Sequence, residues 1–377
     1  MLLLKPIWRN WKVFDPRFMR MAVATAEKAR GKCSPNPFVG AVIVKDGSLI
    51  STGWTQAYGS DHAEVQAIKK AGAECRGAEI YVTLEPCSHY GKTPPCAKAI
   101  IEAGISAVYI GLIDPNPLVA GKGIKMLEEA GIIVEHGHCS EEITKQLEYY
   151  LCRILKGRPF VSWKTALSLD GKFAASDGSS KWISSPKSRA LVQRLRSEMD
   201  VILTGISTVE KDDPLLNVRE IKSAHQPTRV VLDARLQISL ETNLVQTAKT
   251  FPTIIFCDHV LASSPQADKL RKLGLEVLGV TCQAQFCDLP EVLKTLHDKG
   301  FYSVMLECGS ELSSAFFKAG LVDKVQAFVA PLLLGGSKSM LEDIGVKNIT
   351  EAIRLQDVKI KRLGEDIWVV GRVNSDQ

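Results

Sequence analysis

This sequence predicts an α/β chain of two domains, and three observations lead there. Strand-like and helix-like segments alternate along most of the chain, and the polar run Lys156-Gly157-Arg158-Pro159 breaks the alternation once. Its 377 residues also exceed one ordinary domain. The boundary falls at 155, giving domains of 1–155 and 156–377. Apolar types make up 45% and charged types 24%, and the 28 Gly and 17 Pro form no repeat, so disorder, collagen and coiled-coil rods are excluded.

After Pro16, residues Phe18, Met19, Ala22, Ala26 and Ala29 recur at helical spacing up to Gly31, which predicts a first helix ending there. Val39–Val44 and Leu49–Gly53 flank Asp46-Gly47, a pair that accepts the backbone angles of a tight reversal, and read as a hairpin. His62–Ala71 reads as a helix, Glu79–Leu84 as a strand and Cys96–Ala103 as a helix. Ala107–Leu112 follows as a strand, Gly121–Ala130 as a helix and Ile132–Glu135 as a short strand. Glu141–Leu155 has a helical pattern that closes the first domain.

In the second domain the apolar segments Phe160–Lys164, Val201–Leu203, Arg229–Leu232, Thr253–Phe256, Glu276–Leu278, Ser303–Leu306 and Lys324–Val329 predict strands. Ser185–Ser197 and Leu312–Ala319 are among the helices between them. Ile353–Leu363 and Asp366–Arg372 read as strands that close a sheet edge.

Forty-seven basic against 42 acidic residues leave +5, too little for a nucleic-acid partner and compatible with phosphorylated small molecules. Met1–Leu4 is apolar, but Lys5 and Pro6 interrupt it before a secretory segment forms, and no run reaches the length of a membrane span. A soluble, cytoplasmic chain without a membrane partner is expected. On that expectation the ten Cys are reduced core thiols or metal ligands rather than a disulfide framework.

The sharpest motif joins His62-Ala63-Glu64 to Glu85-Pro86-Cys87 and, after a gap of eight residues, Cys96. One imidazole and two thiolates form a three-ligand zinc set. Such a set leaves a fourth tetrahedral position for water, whose pKa the metal brings toward neutrality. Glu64, two residues past His62 at a helix start, is placed to move that water's proton without being a ligand. The alternatives are ordinary core thiols beside a capping histidine, or a structural zinc completed by His89 or Cys75. Both leave Glu64 without a role.

The stretch from Val82 to Cys96, with Ser88-His89-Tyr90-Gly91-Lys92-Thr93-Pro94-Pro95 between the cysteines, closely resembles the bifunctional deaminase-reductases of riboflavin biosynthesis. Ser34-Pro35-Asn36-Pro37-Phe38-Val39-Gly40 and Asp114-Pro115-Asn116-Pro117 carry the same resemblance, which extends over nearly the whole chain. It implies a cytidine-deaminase-like three-layer α/β/α domain followed by a dihydrofolate-reductase-like α/β domain. The implied substrate is 2,5-diamino-6-(5-phosphoribosylamino)pyrimidin-4-one, which loses its C2 amino group as ammonia.

By the same resemblance His62, Cys87 and Cys96 hold one Zn2+, Glu64 passes protons, and Asn36 recognises the pyrimidine. An amide that both donates and accepts suits that ring edge, and a turn cap is its plain alternative. His89 and Lys92 are equally compatible with a substrate phosphate and with solvent. Phe38 and Ala41 stand where the family often has Asn and Cys, and neither removes a reacting group.

Val161–Lys172 resembles the first strand and loop of the family's reductase domain, with Lys164, Ser168 and Asp170 as polar groups at a strand end. A GxGxxG fingerprint is missing, which argues against a Rossmann dehydrogenase. The resemblance implies that Ala166, Trp182, Thr208 and Asp212 contact NADPH. It also implies that Ser180, Arg196, Leu216, Arg219 and Glu307 contact the ribosyl-phosphate substrate. The guanidinium forks of Arg196 and Arg219 suit a phosphate. Leu306-Glu307-Cys308-Gly309-Ser310 reads as a glycine turn before a helix, whose N–H groups at Gly309 and Ser310 could cradle a cofactor phosphate, or simply connect two elements. Cys308 stands where the family usually has a smaller residue.

Reduction would convert ribosyl to ribityl, with Lys164, Asp212 and Glu307 as candidate proton donors and Asp212 favoured. A homodimer through the reductase domains is the family-based expectation. A nucleoside or tRNA-base deaminase would share the zinc motif but leave the second half unexplained, and folate reduction would leave the zinc motif unexplained.

Overall fold

Asp15 begins the first helix by accepting from the Arg17 N–H, and Pro16 occupies the first helical position, where its missing N–H costs nothing. The computed structural model describes residues 13–221 and 225–374; the apolar opening Met1–Leu4, with Lys5 and Pro6, lies outside them. The chain divides into two compact units between Leu155 and Lys156.

The first unit runs α1 (Pro16–Ala26), β1 (Gly40–Lys45), β2 (Ser48–Trp54), α2 (Ala63–Ala71), β3 (Glu79–Leu84), α3 (Cys96–Glu102), β4 (Ala107–Leu112), α4 (Lys122–Glu129), β5 (Ile133–His136), α5 (Ser140–Gln146) and α6 (Glu148–Lys156). Its strands lie in the order β2-β1-β3-β4-β5, with β1 antiparallel to β2 and β3, and β3, β4 and β5 parallel. Asp46 and Gly47 both take positive φ, 49° and 75°, as the reversal between β1 and β2 requires.

Alternation along the strands sets the layers. A Cβ on Gly40 would fall 2.0 Å from the Ala22 carbonyl oxygen of α1, whereas one on Gly53 would fall 2.0 Å from that of Ala63 in α2. Gly53 pairs with Ala41, the neighbour of Gly40, so α1 and α2 cover opposite faces. Gly111 of β4 meets Ile143 of α5 on the α1 side, while α3 packs beside α2, and α4 beside α3. The result is the expected three-layer α/β/α arrangement.

The single helix expected over 141–155 is two helices, because Leu147 (φ −91°, ψ 17°) leaves the helical path. The break follows Gln146, a buried residue whose amide donates to the Val23 carbonyl at 2.9 Å and to Glu27 Oε1 at 2.6 Å. Apolar periodicity reads through the bend since Leu147 still donates to Ile143 and accepts from Leu151.

The second unit runs β6 (Phe160–Ser168), α7 (Pro186–Ser197), β7 (Val201–Gly205), α8 (Ile206–Asp212), β8 (Thr228–Leu232), α9 (Asn243–Gln246), β9 (Thr253–Asp258), α10 (His259–Ala262), α11 (Pro265–Lys272), β10 (Glu276–Val280), β11 (Cys282–Gln283), β12 (Phe286–Cys287), α12 (Leu289–Asp298), β13 (Ser303–Leu306), α13 (Ser310–Lys318), β14 (Lys324–Ala330), β15 (Leu355–Leu363) and β16 (Asp366–Val373). Among the described residues nine strands form one sheet in the order β10-β9-β8-β7-β13-β6-β14-β16-β15. All are parallel up to β14, and β16 and β15 then pair antiparallel at the edge, as the two tail segments predicted.

Val161, Trp163, Leu203, Val230, Phe256, Leu293 and Phe316 are buried together in its core. Such parallel strands need helices on both faces, which is why they read as continuous apolar runs. Among the described residues no helix is long and apolar enough to cross a membrane. All ten cysteines are free thiols.

Candidate active sites

In the first unit the ligand candidates gather where strand ends meet helix starts. His62 is the N-cap residue of α2 and makes no side-chain cap bond, which leaves its ring available. Cys87 lies three residues beyond the end of β3, and Cys96 is the first residue of α3. His62 Nδ1 lies 3.6 Å from Cys87 Sγ and 3.3 Å from Cys96 Sγ, and all three ligand atoms fall within 4.8 Å of one another. The Cys96 backbone N–H donates to Cys87 Sγ at 3.3 Å.

The close approach at Gly53 holds the start of α2 against the sheet and so fixes His62. One imidazole and two sulfurs suit zinc and suit calcium or magnesium poorly, since those ions take oxygen ligands. His62, Cys87 and Cys96 therefore form a metal-binding cluster consistent with zinc.

Ionisation within the cluster is uneven. A hydrogen bond from the Cys96 thiol draws the Cys87 thiol down to about 4, against the effect of burial. Cys96 is pushed well above the usual thiol range, first by that same bond and then by burial. The hydrogen bond with Cys87 raises His62. Glu64, on the first turn of α2, is 4% exposed, and burial pushes its carboxyl up to about 7, with the neighbouring His62 opposing. Such a buried carboxyl beside the His/Cys cluster is chemically able to take up and give back a proton.

Asn36 lies apart from this cluster in sequence, half-buried in the turn before β1, where its N–H donates to the Cys33 carbonyl at 2.8 Å. His89 and Lys92 are exposed on the inserted loop, and Lys92 Nζ sits 4.1 Å from the Tyr58 ring centre.

In the second unit a cleft of about 1160 Å³ opens across the carboxyl ends of β7, β13 and β6. Ala166, Trp182, Thr208 and Asp212, the expected cofactor contacts, all line it, as do Gly309 and Ser310. So do the expected substrate contacts Lys164, Ser180, Arg196, Leu216, Arg219 and Glu307. Ser168 and Asp170 do a different job. Ser168 Oγ donates to Asp170 at 2.5 Å, and the Asp170 carboxylate accepts the Leu334 and Gly335 N–H groups, so the pair ties two loops together.

The floor of the cleft is an ion network. Arg196 Nε and Nη2 donate to the two oxygens of Glu307 at 2.6 and 3.0 Å, while Nη1 donates to the Asn217 carbonyl at 3.1 Å. Lys164 Nζ stands 3.7 Å from the same carboxylate. Burial opposes ionisation of Glu307, yet Arg196 and Lys164 hold it down to about 2. Burial lowers the Lys164 ammonium, with Glu307 opposing. The fork of Arg196 thus faces a carboxylate, which sequence reasoning could not see. Arg219 is more open, with Nη1 3.4 Å from Asn217 Oδ1.

Trp182 is 66% exposed in the cleft and stacks under Arg189, whose guanidinium carbon lies 4.5 Å from the ring centre. Asp212 ends α8 at the rim, and its carbonyl accepts from Lys181 Nζ at 3.3 Å. Gly309 is the N-cap of α13, and Ser310 Oγ is bonded to Glu342 at 3.2 Å beside that helix start.

Sequence reasoning gave no role to Glu85, which is 4% exposed and accepts four backbone N–H groups. Its place in Glu-Pro-Cys was the available signal.

Comparison with known proteins agrees with both halves. Residues 12–112 match the cytidine and deoxycytidylate deaminase zinc-binding region, and residues 159–369 match the RibD C-terminal domain. The riboflavin biosynthesis protein RibD of Aquifex aeolicus is 39% identical over 94% of this chain and 97% of its own. That of Bacillus amyloliquefaciens is 42% identical over 93% and 94%. Among solved structures, RibD of Acinetobacter baumannii superposes with a TM-score of 0.86 at 37% identity, covering 95% of this chain and 98% of its own. A Thermotoga maritima diaminohydroxyphosphoribosylaminopyrimidine deaminase/5-amino-6-(5-phosphoribosylamino)uracil reductase gives 0.82 at 34%, with the same coverage. With an α/β/α deaminase unit carrying a His/Cys group suited to a metal and a reductase unit carrying a polar cleft, the chain belongs to the RibD family of bifunctional riboflavin-biosynthesis enzymes.

Proposed function

We propose that the first unit hydrolytically deaminates 2,5-diamino-6-(5-phosphoribosylamino)pyrimidin-4-one and that the second reduces the ribosyl group of the product with NADPH, giving 5-amino-6-(5-phosphoribitylamino)uracil. The observation that carries the first step is the buried Glu64 beside the His62, Cys87 and Cys96 cluster. His62, Cys87 and Cys96 would hold the zinc, which would supply a water acidic enough for attack at neutral pH. Glu64 takes the water's proton and returns it to the departing amine. Asn36 orients the pyrimidine through its amide. His89 and Lys92, exposed on the inserted loop, are within the same reading as contacts to the substrate phosphate.

In the second unit NADPH supplies the reducing hydride. Ala166, Trp182, Thr208 and Asp212 hold the cofactor, with Gly309 and Ser310 at the phosphates. Lys164, Ser180, Leu216 and Arg219 hold the substrate, over a floor in which Glu307 takes up the fork of Arg196. The gathering of all these residues around one cleft supports the assignment. Glu307, kept ionised at about 2, anchors Lys164 and Arg196 and does not donate a proton near neutrality. Asp212 at the rim is the favoured donor, and Lys164, whose ammonium is loosened by burial, is the second. A cytoplasmic location, supported by the free thiols, and a homodimer through the reductase units complete the reading.

The test is mass balance. Purified protein with zinc and the diaminopyrimidine should release one ammonia per substrate without NADPH, and adding NADPH should then oxidise one equivalent. Glu64→Gln should keep its zinc and lose deamination by roughly 10²- to 10⁴-fold, because an amide cannot take the proton. Near-normal ammonia release by that variant would overturn the role of Glu64.

A further inference from the structure

We propose that Glu85 is a positioning residue of the deaminase centre, holding Cys87 where a metal ligand must stand. This rests on the reading of His62, Cys87 and Cys96 as the ligand set. Glu85 leaves the end of β3, its own N–H still donating to the Leu112 carbonyl of β4 at 2.9 Å. Its buried side chain turns to the segment that follows β4. Oε2 accepts the N–H groups of Asp114 at 3.3 Å and Gly121 at 3.0 Å, and Oε1 accepts those of Gly123 at 3.0 Å and Ile124 at 3.3 Å. Three of these donors belong to the N-terminal end of α4, where helical N–H groups have no partner of their own and a negative charge is favoured.

The consequence reaches Cys87 through one peptide. A Cβ on Gly123 would lie 2.0 Å from the Pro86 carbonyl oxygen and 3.1 Å from Glu85 Oε1, so the first turn of α4 presses directly on the backbone that leads into the ligand. On the other side the Cys87 carbonyl accepts from the Ala97 N–H of α3 at 3.2 Å, and Cys87 Sγ accepts from the Cys96 N–H. Cys87 is thus held between two helix starts, one of which is fastened by Glu85. Only a carboxylate offers acceptors to all four donors on two oxygens. An amide would turn its own N–H groups toward two of them and leave buried donors unpaired.

Removal of such an outer partner of a metal ligand typically costs 10- to 100-fold in metal retention or turnover. Zinc-loaded wild type, Glu85→Gln, Glu85→Asp and Tyr150→Phe would be mixed with a colorimetric zinc chelator, and the rate of metal release followed alongside kcat and KM for ammonia release. Glu85→Gln should release zinc about 10- to 100-fold faster with a fall carried by kcat, and Glu85→Asp should fall between it and wild type. Tyr150→Phe should release zinc at the wild-type rate. It removes hydrogen bonds of 2.8 and 3.0 Å to the Asp114 carboxylate but leaves all four Glu85 contacts intact.

Equal release rates and kcat for wild type and Glu85→Gln would overturn the proposal. So would equal acceleration in Tyr150→Phe, which would mean general loosening. If Glu85→Gln does not fold, an unchanged Glu85→Asp overturns it. Wild-type protein that takes up no zinc would instead remove the ligand-set reading, and this inference with it.

Discussion

Glu307 holds Arg196 by both edges of its guanidinium, at 2.6 and 3.0 Å, in the floor of the second-unit cleft where both side chains are about nine-tenths buried. Two charges in this position are stable only as a pair. Arg196→Ala should therefore destabilise the second unit by about 3–5 kcal/mol, because it leaves the buried carboxylate without its bidentate partner and with Lys164 no nearer than 3.7 Å. Chemical denaturation followed by a probe in that unit checks this. A loss below about 1 kcal/mol would mean that the pair contributes little.

The same pair sets a pH dependence. Glu307 is held at about 2 in the fold against an ordinary value of 4.5, so its contribution is complete above 4.5 and is lost as pH falls from 4.5 towards 2. The shift corresponds to about 3 kcal/mol at neutral pH. Unfolding free energies of wild type and Glu307→Gln should accordingly converge over that acidic window and differ most above it. Parallel curves would contradict the assignment.

Arg219 lines the same cleft but is partly exposed and shares only long contacts with Asn217 and Glu220. Arg219→Ala should raise KM for the phosphorylated substrate of reduction by about 10-fold or more, the value of a lost charged hydrogen bond, while ammonia release is unchanged. Unaltered KM in a steady-state NADPH assay would take Arg219 out of that site.

Gly53 is required by distance rather than by backbone angle. A methyl there would stand 2.0 Å from the Ala63 carbonyl and 2.6 Å from the Ala67 nitrogen, both backbone atoms that cannot swing away. Gly53→Ala should push α2 off the sheet, lowering zinc content and deamination together, with reduction spared. Metal analysis beside both assays reads this directly, and full zinc occupancy in the variant would refute it.

Stripping the metal should separate the two activities. After exhaustive chelation ammonia release should fall to background and return on adding zinc, whereas NADPH oxidation with already deaminated substrate should persist. Loss of both on chelation would show that the second cleft also depends on metal.

Much of this was legible in the chain because the responsible signals are local. Ser185 before Pro186, Asp46 with Gly47, and the apolar runs of β3, β4 and β13 act within a few residues, so those elements stand where their spacing put them. The gathering of His62, Cys87 and Cys96 was legible for a related reason, since few other purposes call for those types at those intervals.

The losses were long-range. Arg196 and Glu307 are 111 residues apart, and nothing local says that the fork meant for a phosphate faces a carboxylate. Glu85 finds its donors 29 to 39 residues downstream. The bend at Leu147 follows Gln146, whose partners lie 119 and 123 residues earlier. Lys164 seemed to end a strand, but β6 runs on to Ser168 because β14 pairs with it as far as Ala330.

The joint between Cys87 and Cys96 also bears on how such enzymes are found. Cys96 is stationed by the start of α3 and Cys87 by the turn that follows β3, and the Cys96 N–H bond to Cys87 Sγ at 3.3 Å joins the two across the eight residues between them. A search keyed to a fixed interval between the two thiols would pass over this chain. One keyed to a strand exit facing a helix entry would retrieve it whatever lies between.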